Sequence, residues 1–141
     1  MLLDGETQFS NRQALTATAA STNVIDLSPT GTRPNTVTPL RRDIGGWDND
    51  LLVQVTQDFA GGTSVQVQIQ TDDNSAFSSP IIAGQNAAIP VADLKAGYRF
   101  ALGDFPVGTA ERYVRLYYVV VGTMTAGTIT AAVTAGVSRY V

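Results

Sequence analysis

Residues 64–71 alternate without a fault. Val65, Val67 and Ile69 fall on one side, and Gln66, Gln68 and Gln70 on the other. A period of two predicts a strand with one face on a core and one in water. The same alternation recurs in Leu51, Val53 and Val55 against Leu52, Gln54 and Thr56, and again in Tyr98–Leu102. The longest such run is Arg112–Val121. Val114, Leu116, Tyr118 and Val120 share one face, while Tyr113, Arg115, Tyr117, Val119 and Val121 share the other, which is only half polar. A turn over 122–127 leads to Thr128–Val137, where Ile129, Ala131 and Val133 face inward. Val24–Leu27 reads as a short strand, and Phe77 and Ile81-Ile82 as segments that rejoin the core. Gly61-Gly62 and Asp72-Asp73-Asn74-Ser75 carry turn chemistry. Pro90 to Gly97 predicts one helical turn, since Pro suits a first turn and Gly an end.

These elements predict an all-β chain of roughly seven to nine strands, built as a two-sheet antiparallel sandwich of jelly-roll or immunoglobulin-like kind. No repeat at a period of 20–50 residues is present. Two stretches depart from the pattern. Residues 1–22 hold Leu2, Leu3, Phe9 and Leu15 at spacings that suit neither helix nor strand, and 14–22 is almost wholly Ala, Thr and Ser. This predicts an extended N-terminal arm over 1–22, held by the domain or by a neighbouring chain, ahead of a sandwich domain over 23–141. Residues 28–50 predict a long loop containing Pro29, Gly31, Pro34, Pro39, Gly45 and Gly46, with Trp47, the sole tryptophan, towards its end. Loops of that length in a compact domain are uncommon and often functional.

Composition sharpens the class. The chain has 141 residues, and charged residues make up 15 % of it, against ~25 % in an average domain. Thr, Ala and Val dominate; Thr and Val are β-branched and favour strands. With no His and no Cys, the common zinc, haem and iron–sulfur ligand sets are missing, as are Ser-His and Cys-His triads. A lysine mechanism would fall to Lys95, the only lysine. A net charge of −3 argues against a partner made of nucleic acid, which calls for a basic face. No apolar run reaches the ~18 residues that span a bilayer, and the opening residues lack the basic start and long apolar stretch of a signal peptide.

Few residues carry chemistry of their own. Asp72-Asp73-Asn74 has oxygen ligands of the kind calcium takes, but the calcium-loop pattern breaks at Ala76, and a polar turn explains it better. Asp48-Asn49-Asp50 reads the same way. Glu6 and Glu111 mark no facing carboxylate pair, so a glycosidase is not expected. Tyr98, Tyr113, Tyr117 and Trp47 would serve as a stacking platform or as core. Tyr117 differs, because it shares the outer face with Arg115 and Val119, a mixture enriched at protein interfaces. Arg41 and Arg42 would meet acidic groups on a partner or pair locally with Asp43.

Three blocks of the chain resemble the small capsid cement, or decoration, proteins of short-tailed bacteriophages of the Bordetella-phage type. The first is Leu2-Leu3-Asp4 with Phe9, continuing through Ala14–Leu27. The second is Val67–Pro80. The third is Glu111–Val119, running on through Thr125–Ala131, which looks like that family's C-terminal hairpin. The family's short Arg-Asp-Ile-Gly element stands here as Arg42-Asp43-Ile44-Gly45, and the Thr- and Pro-rich stretch 28–40 before it looks like an insertion.

The resemblance implies a jelly roll that sits as a homodimer or homotrimer on the exterior of the virion, made in the cytoplasm of the bacterial host. There it clamps neighbouring copies of the major capsid protein. No enzyme, cofactor, metal, nucleic acid or membrane is implied. The expected contact residues, to the capsid or to sister copies, are Leu2, Leu3, Phe9, Leu15, Arg41, Arg42, Trp47, Arg115, Tyr117 and Val119. The arm is expected to be the main intersubunit element, so that a chain lacking residues 1–20 folds but loses capsid retention. The face of Arg115, Tyr117 and Val119 is expected to serve self-association. The competing expectation is a carbohydrate-binding jelly-roll module of a tail fibre or secreted enzyme, with Trp47 and Tyr117 in an open aromatic groove.

Overall fold

The computed structural model describes residues 4–38, 49–102, 105 and 111–135. Among these, nine strands build two antiparallel sheets: β1 Gln8–Ala14, β2 Ala19–Ala20, β3 Ile25–Asp26, β4 Asn49–Gly61, β5 Ser64–Asp72, β6 Ile81–Gln85, β7 Ile89–Pro90, β8 Tyr113–Val121 and β9 Met124–Ala135. One sheet has the order β1-β9-β4. The other has six strands, in the order β2-β8-β5-β6 with β3 also on β8 and β7 on β5. The sandwich expected from the alternation is the fold. The single helical turn expected after Pro90 is the 3-10 turn Val91–Asp93.

The core lies between the sheets. Val65, Val67 and Ile69 of β5 and Val114, Leu116, Tyr118 and Val120 of β8 face Val53, Val55, Ile129 and Ala131 of the smaller sheet, all buried. β5 and β8 pair along their whole lengths, from Ser64 opposite Val121 to Asp72 opposite Tyr113. Every inward position of one strand therefore stands beside an inward position of the other.

The third sequence block is not a hairpin. β8 and β9 lie in opposite sheets, and the Gly122-Thr123 connection is a corner between them. Each strand has one strongly apolar face, and placing the two across the core lets these faces cover each other. The β4–β5 connection makes a second corner, and the two corners stack. A Cβ on Gly122 would sit 2.8 Å from the Gly62 Cα, and its φ of +84° favours glycine independently.

The N-terminal segment also differs from the expectation. From Asp4 onward, residues 1–22 are part of the sandwich rather than an arm beside it. β1 pairs with β9 and β2 with β8. Phe9 and Leu15 are 0 % and 1 % exposed in the core. A β-bulged register, shifting between Gln8 and Ser10 and again between Ser10 and Gln13, hides the period of two from the sequence. A buried polar chain completes the attachment. The Tyr118 hydroxyl and Ser10 Oγ lie 2.7 Å apart, Ser10 Oγ donates to Gln13 Oε1, and Gln13 Nε2 donates to the Ala20 carbonyl.

Candidate protein interface

The outer face of the six-stranded sheet gathers the residues that the core does not use. Alternation along β8 puts Tyr113, Arg115, Tyr117 and Val119 there, half-buried. Their neighbours across the strand pair are Asp72, Gln70, Gln68 and Gln66 of β5. Arg115 Nε and Nη2 both donate to Gln70 Oε1, at 2.9 and 2.8 Å. Gln70 Nε2 donates to Gln68 Oε1, and Gln68 Nε2 donates to Gln85 Oε1 on β6. Gln66 Nε2 donates to the Asn86 carbonyl. Gln68 and Gln70, which the alternation assigns to water, thus join Arg115 of β8 to Gln85 of β6 in a relay across three strands, and Gln70 is only 6 % exposed.

The segment after β5 folds back over this face. Asp72 Oδ1 accepts the Asn74 N–H and its Oδ2 accepts the Ser79 N–H. These backbone bonds hold the carboxyl below its ordinary range, with the nearby Arg115 charge adding to them. Each Asp72 carboxylate oxygen thereby accepts a backbone N–H of the turn, as the polar-turn reading of 72–74 expects. The turn delivers Phe77 to the outer face, where Arg115 lies 4.1 Å over its ring and 5.3 Å from the Tyr117 ring centroid. Burial pulls the Arg115 guanidinium below its ordinary pKa, while Tyr117 and Asp72 act the other way.

At one margin of the face Arg112, the residue before β8, makes a two-pronged ion pair with Asp26 of β3, at 2.7 and 2.8 Å. At the other margin lies β6. Ile81 and Ile82 are 56 % and 50 % exposed, so they do not rejoin the core as expected. Phe77 is buried, but on the outer face and apart from the main core.

Of the ten residues expected at a contact, Arg115, Tyr117 and Val119 are brought together on this face. Arg115 is engaged internally by Gln70, Phe77 and Tyr117. Phe9 and Leu15 are interior, because β1 is a strand of the sandwich, and they offer nothing to a partner. Leu2, Leu3, Arg41, Arg42 and Trp47 lie outside the described residues. The face also includes Gln68, Gln70, Phe77 and Ile82, which the sequence reading did not single out. The Gln-x-Gln-x-Gln spacing of 66–70, opposite an aromatic strand face, was the available signal.

No cluster of acidic side chains suited to a metal ion exists among the described residues, and no helix among them is long and apolar enough to cross a membrane.

The sequence matches the Bbp16 family over residues 9–133. The chain belongs to the Bbp16 family. The match runs from Phe9 in β1 to Val133 in β9, taking in all but the outermost residues of the sandwich, and with it the second and third sequence blocks. The outer-face residues Gln66, Gln68, Gln70, Phe77, Ile82, Arg115, Tyr117 and Val119 all lie inside the Bbp16 match. No curated protein matches the chain.

Proposed function

We propose that this Bbp16-family protein is a capsid decoration protein. It binds the outside of an icosahedral phage head and adds contact area between major capsid protein subunits. The observation that carries the reading is the outer face of the six-stranded sheet. The Gln68, Gln70 and Gln85 amides and the Arg115 guanidinium are already bonded to one another, and Phe77 and Tyr117 are packed against Arg115. A face fixed in this way loses little side-chain entropy when another protein covers it. Arg and Tyr are also the residues enriched in such contacts. Tyr117 and Val119 are the part of it left for a capsid subunit.

The sugar-binding alternative calls for open aromatic rings. Arg115 sits on the Tyr117 ring, which favours a protein partner over a stacked sugar.

Cosedimentation tests the proposal. Purified protein mixed with heads that lack it should pellet with them and raise the temperature at which they release DNA. Tyr117→Glu should weaken this retention at least tenfold. If the protein stays in the supernatant at saturating concentration, it is not a decoration protein. If it binds oligosaccharides but not heads, the carbohydrate reading replaces this one.

A further inference from the structure

Two arginines near the start of β8 are treated differently by the fold. Arg112 receives a carboxylate: its Nε and Nη2 donate to the two oxygens of Asp26. Arg115 receives only an amide, its Nε and Nη2 converging on Gln70 Oε1. No ion pair reaches Arg115 among the described residues. Asp72, the carboxylate whose charge acts on it, accepts the Asn74 and Ser79 N–H groups of its own turn instead.

A guanidinium presents its N–H donors as a rigid planar fork. Gln70 Oε1 uses the side-on pair, the Nε–H and one N–H of Nη2. The end-on pair, formed by Nη1 and the other N–H of Nη2, is left whole. This edge is not sealed in. Arg115 is half-buried, and the fully buried side-chain N and O atoms that lack a partner, among the described residues, are Asn86 Nδ2 and Glu111 Oε2. The group is also fixed before a partner arrives. Gln70 grips one edge, and Gln70 is itself held by Gln68. The Phe77 ring lies 4.1 Å from the guanidinium carbon and the Tyr117 ring 5.3 Å. Around it the face is neutral: Gln66, Gln68, Phe77, Ile82, Tyr117 and Val119 share it, and the chain carries no charge from Asn74 to Ala92.

Covering this face therefore carries an electrostatic condition. The Gln70 amide bonds to the guanidinium but brings no charge. A protein that covers Tyr117 and Val119 takes the Arg115 charge out of water, which is strongly unfavourable without a counter-charge. A partner protein meets the condition with an Asp or Glu side chain, whose two oxygens match the two parallel N–H groups of the end-on edge. We propose that Arg115 is the specificity-determining residue of the outer face and reads a side-chain carboxylate of the major capsid protein through Nη1 and Nη2, with Tyr117 and Val119 packed around the pair. The inference rests on the decoration reading for the identity of the partner, and adds the chemistry of the contact. A surface that sets Lys, Arg or an apolar side chain over Arg115 is rejected, because it leaves the charge buried and unpaired.

Cosedimentation with heads that lack the protein measures it. Arg115→Gln, verified as folded by circular dichroism, should weaken retention about tenfold or more. Arg115→Lys keeps the charge without the planar edge and should recover only part of the loss. Lys95→Gln removes the same charge beside β4, in the other sheet, and should bind as the wild type does. Retention of the wild type should fall as salt rises from about 50 to 500 mM, and the fall should be shallower for Arg115→Gln. A second measurement needs no variant and decides the matter if Arg115→Gln does not fold. Heads whose carboxylates have been amidated should hold the wild type about tenfold less tightly. The chain is acidic, at −3, so without a carboxylate contact that treatment would tighten binding. Arg115→Gln retained like the wild type, with the same salt dependence, overturns the proposal. So does wild-type protein that binds amidated heads as tightly as untreated ones or more tightly. In both cases wild-type protein still pellets with untreated heads and the decoration role stands; wild-type protein that leaves untreated heads bare overturns both.

Discussion

Arg115 holds its guanidinium carbon 4.1 Å over the centroid of the Phe77 ring, and Phe77 reaches that place only through a left-handed backbone, with φ +50°. A bulky residue in that region is strained. Two opposite terms thus meet at one residue: ring burial under Arg115 favours Phe, and the backbone favours Gly. Phe77→Ala loses the ring and keeps the strain. Phe77→Gly loses the ring and relieves the strain. The expected order reverses the common one, with Phe77→Gly more stable than Phe77→Ala by about 1 kcal/mol. Urea unfolding of the two variants checks it, and an unchanged or reversed order would mean that the turn is not strained at Phe77.

Arg115→Ala should cost about 1.5–3 kcal/mol, the range for removing a charged partner from a buried acceptor. It strands the Gln70 amide oxygen and uncovers Phe77. Arg115→Lys keeps the charge but lacks the planar fork, so it should recover less than half of the loss. Full recovery with Lys would show that charge, not the two-donor geometry, matters.

The acid side of the stability profile should follow Asp72. Its folded pKa lies below the ordinary value, so its contribution is present above about pH 4 and lost as the pH falls through the folded value. Asp72→Asn should flatten that limb. The alkaline side should follow Tyr118, whose phenol burial pushes well above its ordinary value. Its contribution is complete below about pH 10 and is lost as the pH rises further. Tyr118→Phe should remove the alkaline limb at the cost of about 1 kcal/mol near neutrality for the hydrogen bond to Ser10. Chemical denaturation across pH measures both limbs.

The strands β5 and β8 were legible because each keeps strict alternation along its length, and burial on one face is all that alternation reports. The N-terminal segment was not legible, since the bulges of β1 shift Phe9 and Leu15 out of any simple period. Phe77 announces burial by its apolarity, but the face that receives it is decided by the Asp72 turn. Ile81 and Ile82 carry the same apolar signal as a core segment. Only the sheet order shows that β6 ends the six-stranded sheet among the described residues. The interface residues Arg115, Tyr117 and Val119 were found from a half-polar strand face, but the internal engagement of Arg115 depends on Gln70 standing opposite, a pairing that local pattern does not encode.

Gly127 should tolerate no side chain. Its φ is +136°, and a Cβ there would lie 2.3 Å from Phe59 Cδ1, whose ring is buried in the core. Gly127→Ala should therefore destabilise by about 1–3 kcal/mol, the range for overpacking. Phe59→Leu in the same chain should restore part of it, because a smaller side chain gives the methyl room. Additive losses in the double variant would show that backbone conformation, rather than contact with Phe59, sets the cost.

Removing residues 1–20 should abolish folding rather than merely capsid retention. The deletion takes away β1 and β2, the core side chains Phe9 and Leu15, and Ser10, the partner of the buried Tyr118 hydroxyl. Burying a side chain of that size is worth about 1.5–3 kcal/mol each, an unpaired buried hydroxyl adds about 1–3 kcal/mol, and the edge of β9 is opened as well. Against a total stability of roughly 5–15 kcal/mol, these losses leave little or no folded state. Circular dichroism and proteolysis of the truncated chain should show a disordered, rapidly digested protein. Leu15→Ala alone should still fold, with a loss of about 2–5 kcal/mol. A truncated chain that melts cooperatively near the full-length temperature would mean that β1 is an appendage after all, and would return residues 1–20 to the list of possible capsid contacts.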